Sequence, residues 1–187
     1  MARTDSKETE KMLGSLISVF RDHGFEGASL SRFTEASGLI KASLYHRFPR
    51  GKEAMGLAAL AEVDRIFSSY VLAPIDADGD RAKRLRLVAT RLDKFYEGGT
   101  RGCLLESMAT AGTPPSVKTH LKRTLDFWIG KFAQLAEEAG IPKKEARVRA
   151  EGAIAAIEGA LVVSRAQGNN KEFKRSLDSL HTRLLTL

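Results

Sequence analysis

Between Gly38 and Lys52 the chain carries Lys41, Arg47, Arg50 and Lys52, with His46 in addition, and no acid: four positive charges in fifteen residues. A local excess of this kind is what contact with a line of phosphates requires. A basic, solvated helix pair is the plainer alternative, and the choice between them turns on what holds these side chains in place.

The surrounding residues spell two short helices and a tight turn. Ser29 stands before the first and can cap it through its side-chain oxygen. Leu30 and Phe33 are three apart and share one face. Gly38 follows Ala36 and Ser37, where a helix end favours a residue that tolerates a left-handed backbone. The second helix runs from about Ile40 or Lys41 to Arg47 and stops at Pro49, with Leu44 and Phe48 pointing inward and Leu39 packed in the turn. This is a helix-turn-helix pattern, the unit that lays its second helix in the DNA major groove. A first helix over 7–23, with Leu13, Leu16, Ile17 and Phe20 on one face, precedes it after a polar tail of residues 1–6. Gly24 should end that helix, and Phe25 should reach back into a small three-helix core.

The run Gly24-Phe25, Ala28-Ser29-Leu30, Ala36-Ser37-Gly38-Leu39, Lys41 to Pro49 and Lys52-Glu53 resembles the N-terminal domain of TetR/AcrR-type transcriptional regulators. Phe48-Pro49-Arg50-Gly51-Lys52-Glu53, with one extra residue before the lysine, is similar to the LmrA/YxaF-type branch, as is the later stretch Gly102-Cys103-Leu104-Leu105. The resemblance implies a DNA-binding regulator, most simply a repressor working as a homodimer; no metal or other cofactor is expected, and the single cysteine suits a reducing cytoplasm. It puts Lys41, Ala42 and Ser43 on base edges, where Lys41 can donate to guanine and Ser43 can donate or accept. Ser29, Tyr45, His46 and Lys52 would touch phosphates; Ser29 and Lys52 also sit at helix N-termini, which favour anions. Three positions depart from the usual pattern: Ile40 where a serine is common, Thr34 in place of alanine, and Arg47 where an aromatic is frequent. Ile40 forfeits a cap or a phosphate contact.

The rest of the chain reads as helices throughout, about nine in all, giving an all-α fold. A long helix over 52–73 presents Leu60, Val63, Phe67 and Tyr70 and ends before Pro74. Its roughly 33 Å could connect the DNA unit to the body. Helices follow over 81–97, 103–110, 116–139 and 142–167, with Pro142 in the first turn of the last of these. A final helix carries Phe173, Leu177, Leu180, Leu184 and Leu187. The expected division is a DNA-binding domain over 1–51 and a ligand-binding and dimerisation domain over 52–187.

The last two helices suggest how two copies pair. The run AIAAIEGALVVS is small and apolar almost all round, which permits close helix approach. Ile154, Ile157, Leu161, Phe173, Leu177, Leu180 and Leu184 are the expected interface, forming a four-helix contact with a symmetry mate. The alternative is that they pack inside their own body. Two heads on a two-fold axis would read a palindromic operator of double-stranded DNA. Regulators of this type bind small, often lipophilic molecules in the body, and the candidates here are Phe67, Tyr70, Phe95, Cys103, Met108, Phe127, Trp128 and Ile157. Any one of these aromatics could equally be ordinary core.

Composition agrees. The chain of 187 residues has a net charge of +7, and its pI near 9.7 suits a polyanionic partner. Residues 1–54 hold nine Lys/Arg and seven Asp/Glu, so the local run carries the argument better than the total. One cysteine allows no intrachain disulfide, and no apolar run approaches the roughly 20 residues of a membrane span. There is no glycine-rich phosphate loop, no histidine pair at metal spacing and no Gly-x-Ser-x-Gly turn, so nothing points to an enzyme. The remaining alternative is a helical ligand-binding or protein-interaction adaptor with little DNA affinity.

Overall fold

A computed structural model describes residues 2–186, with side chains from Lys7 onward. Leu187, the last member of the expected C-terminal stripe, lies outside the described residues. Among them every regular element is helical: α1 Ala2–Gly27, α2 Leu30–Ser37, α3 Lys41–Arg47, α4 Lys52–Ile66, α5 Arg81–Phe95, α6 Leu104–Met108, α7 Pro115–Glu138, α8 Lys143–Gln167, α9 Lys171–Asp178 and α10 Leu180–Leu185. The all-α expectation is met. The chain divides into two compact units. The first is Met1–Arg65 with Leu104–Lys122, and the second is Ile66–Cys103 with Arg123–Leu187. The first unit therefore takes in α6 and the start of α7 as well as the helix-turn-helix.

Several boundaries differ from the sequence reading, each for a local reason. Helix α1 starts at Ala2 instead of Lys7, so residues 2–6 are helical and not a tail. The long fourth helix is not uniform. Regular α geometry ends at Ile66, a π-helical stretch covers Phe67–Leu72, and a 3₁₀ turn covers Ala73–Asp76. Pro74 has no N–H to give the carbonyl four residues back, that of Tyr70. The Arg91 guanidinium donates to that carbonyl instead, at 2.5 Å. Pro142 is the N-cap of α8, one residue outside the helix. The C-terminal helix is split at Ser179. There the hydroxyl donates to the Ser176 carbonyl at 2.8 Å and accepts from Arg183 Nε at 2.9 Å, competing with the helical ladder.

In the second unit Arg84 acts as a clamp. Its Nη1 donates to the carbonyls of Ile75 (2.8 Å) and Ala77 (3.0 Å), and its Nη2 donates to the Glu138 carboxylate. The hydrogen bond from Arg84 holds the Glu138 carboxyl below its ordinary range. Lys131 adds an ion pair to Asp76 at 2.6 Å, so the 3₁₀ turn, α5 and α7 are tied together by charge as well as by the buried Leu85, Val88 and Leu92.

Candidate nucleic-acid interface

The head is built on a ring cluster. Phe20 of α1 stacks on Phe25 with centroids 5.9 Å apart and lies against Phe33 of α2 at 5.0 Å. Leu44 of α3 is fully buried, and Phe48 is half-buried. Gly24 breaks α1 with φ 64° and ψ −178°, which turns the last helical residues so that Phe25 faces Phe20. The Ser15 hydroxyl donates to the Ala36 carbonyl at 2.9 Å and fastens α1 to the end of α2.

The turn follows the sequence closely. Ser29 caps α2, accepting from the Arg32 N–H at 3.3 Å. Gly38 adopts a left-handed backbone (φ 71°) and donates to the Thr34 carbonyl at 2.9 Å. Ile40 occupies the N-cap of α3 in an extended conformation and makes no side-chain capping bond. With Leu44 turned inward, α3 presents Lys41, Ala42, Tyr45, His46 and Arg47 to solvent, and Ser43 is half-buried. Arg50 is exposed just beyond. Among the described residues Arg47 has one distant ion-pair partner, Glu8 at 3.9 Å on an exposed surface, a pair worth little.

Lys52 behaves differently from the other cations. Its ammonium donates to the Glu26 carbonyl at 3.3 Å and lies 4.9 Å from the centre of the Phe25 ring. It thus neutralises the carbonyl end of α1 and ties α4 to it. Lys52→Met is expected to lower stability by about 1 kcal/mol, from the lost charge–carbonyl bond and ring contact, as read by urea denaturation. A lysine serving DNA alone would leave the midpoint unchanged.

Within the first unit α4 buries Met55, Gly56, Ala59, Leu60 and Val63. Met108 of α6 belongs to this core: its Cε lies 3.2 Å from where a side chain on Gly56 would begin. That corrects its expected place in the body. His120 of α7 is hydrogen-bonded to Asp64 of α4 at 2.7 Å.

The second unit brings together part of the expected ligand set. Phe67 stacks on Trp128 with centroids 3.8 Å apart and meets Phe95 edge-on at 5.2 Å. Phe95 meets Tyr96 at 5.0 Å, and Tyr96 meets Phe173 at 6.0 Å. The Tyr96 hydroxyl donates to Cys103 Sγ at 3.7 Å. Trp128 Nε1 is buried without a hydrogen-bond partner. Ile157 is buried on α8. Tyr70 and Phe127 are not in the cluster: both are exposed, under Arg91 and Lys131 respectively. Tyr96 was absent from the expected set, although it continues the Leu85, Val88, Leu92 spacing by four.

The residues expected at a dimer interface point inward. Leu161, Phe173, Leu180 and Leu184 are fully buried in the protomer, and Ile154, Ile157 and Leu177 nearly so. They form the core beneath α8, α9 and α10, together with the buried Ala146, Ala150, Ala153 and Ala160 of α8. The outer side of α8 is left to Gly152, Ala155, Gly159, Val162 and Val163, all exposed.

The comparisons with known proteins bear on the whole arrangement. The family model for the C-terminal domain of LmrA/YxaF-like transcriptional regulators matches residues 83–178. The chain belongs to this TetR-type family of transcriptional regulators. Over 169 residues it is 27% identical to the uncharacterized HTH-type transcriptional regulator YxaF of Bacillus subtilis, covering 87% of this chain and 86% of that one. It is 24% identical to the HTH-type transcriptional regulator LmrA of the same organism, covering 91% and 92%. Among solved structures, a TetR transcriptional regulator from Legionella pneumophila superposes with a TM-score of 0.85 at 18% identity, covering 94% of this chain and 96% of that one. A TetR-family regulator from Agrobacterium tumefaciens gives 0.83 at 17% identity, covering 97% and 99%. These two likenesses concern the fold. No helix among the described residues is long and apolar enough to cross a membrane.

Proposed function

We propose that this TetR-type regulator is a repressor that binds a palindromic operator as a homodimer and is released by a small lipophilic ligand. Residues 1–51 act as the DNA-binding part and residues 52–187 as the ligand-binding and dimerising part. The observation that carries the reading is α3: a short helix anchored by Leu44, with Lys41, Ala42, Tyr45 and His46 on its solvent side and Arg50 beyond. Lys41, Ala42 and Ser43 read base edges; Ser29, Tyr45 and His46 meet phosphates. Ser29 spends its oxygen on the cap but keeps its hydroxyl proton for a phosphate.

The dimer forms through the outer side of α8 instead of its buried side. Gly152, Ala155 and Gly159 allow close helix approach, Val162 and Val163 supply apolar area, and the groove beside Ala156 and Gly159 is walled by Arg175, Ser179 and Arg183. Val163→Arg is expected to turn a dimer into a chain of 20.5 kDa in sedimentation equilibrium. A monomeric wild type would contradict this part of the proposal.

Ligand enters among Phe67, Phe95 and Trp128, and the unpaired Trp128 Nε1 supplies a donor to an acceptor on an otherwise apolar molecule. The ligand lowers DNA affinity by favouring the body conformation that does not bind operator, and by linkage operator lowers ligand affinity equally. Trp128 is the one tryptophan, so its fluorescence reports binding directly. A lipophilic compound that displaces operator should shift that emission. Displacement with unchanged emission would move the ligand site elsewhere.

A further inference from the structure

The exposed large apolar side chains of the first unit, among the described residues, are Ile40 (69% exposed) and Tyr45 (52%), and both belong to the recognition helix or its cap. The Ile40 side chain stands in solvent and makes no capping bond. Its backbone sits as an N-cap does, extended at φ −75° and ψ 157°, and its carbonyl accepts the Leu44 N–H at 3.3 Å. A serine, threonine, asparagine or aspartate there would also accept an amide of the first turn through its side chain; isoleucine cannot. The chain thus gives up a cap and leaves a branched hydrocarbon in water beside the exposed Lys41 and Ala42.

The surroundings say what covers that side chain. The charges from Gly38 to Lys52 are all positive, so the partner is a polyanion. The N-terminal residues of a recognition helix meet base edges in the major groove. The apolar group presented there is the C5 methyl of thymine. We propose that Ile40 is a specificity-determining residue that packs on a thymine methyl in each operator half-site. The inference rests on the operator-binding reading given above and adds to it one base and the group on that base which is read.

The test uses the full-length protein and a duplex recovered by selection from a random pool. Each thymine of a half-site is replaced in turn by deoxyuridine, which removes the methyl alone. For the wild type, one position is expected to weaken binding about fourfold per half-site, the effect of one buried carbon. The loss should vanish in Ile40→Ala and persist in Ile40→Val. Ile40→Ser should raise the melting temperature and still lose the discrimination, which separates recognition from folding. If no thymine is sensitive, or the sensitivity is the same in Ile40→Ala, the inference is overturned while operator binding stands. If selection recovers no duplex, the inference and the operator reading fall together.

Discussion

Gly24→Ala is expected to destabilise the protein by about 3 kcal/mol or more. Two independent costs add. The backbone at φ 64° and ψ −178° is a region essentially reserved for glycine. A Cβ built there would also lie 2.8 Å from the Ser107 carbonyl oxygen, a backbone atom of α6 with little freedom to withdraw. The damage falls on the head itself, since Gly24 sets the turn that seats Phe25 against Phe20 and the ring over which Lys52 lies. Urea denaturation should show the midpoint falling with little change in slope. Gly14→Ala is the control: Gly14 lies in the same helix with nothing within 4 Å of its missing Cβ, and alanine there should stabilise by about 0.5–1 kcal/mol. Equal effects of the two substitutions would contradict the described break in α1.

Operator binding should collapse with salt. Each head offers Arg47 and Arg50, which have no strong ion pair among the described residues, since the contact of Arg47 with Glu8 is long and exposed. With Arg47 and Arg50 meeting phosphates in each head, a dimer makes about four neutralisations, and affinity should fall about 10²-fold between 50 and 200 mM salt. Arg50→Ala should flatten the log–log slope by about 2, one unit per head, with little change in sequence preference. Lys41→Ala should instead relax the preference itself. A slope near zero would mean that the basic run does not meet phosphates.

Much of the head was legible because its signals are local. Ser29 and Gly38 cap and turn by their own chemistry, and Leu44 and Phe48 follow from helical spacing. What failed depended on partners distant in sequence. The end of the fourth helix is set by Arg91 reaching the carbonyl that Pro74 leaves unserved, which no window around residue 70 reveals. Met108 joins the core of the first unit, and α6, five residues long, carries no periodicity to say so. The large side chains of α8, α9 and α10 belong to the protomer's own core, and α8 has small residues on both its buried and its exposed sides, so size alone does not separate core from outer surface. The contact of Lys52 with Glu26 and Phe25 likewise requires the fold.

The most direct test of the account is selection of duplex DNA by the purified wild-type protein, repeated with Lys41→Ala. The account predicts that the wild type enriches a palindrome and that the variant enriches it weakly or with altered bases at one position per half-site. A wild type that enriches nothing above background at low salt would contradict the operator-binding regulator proposed here.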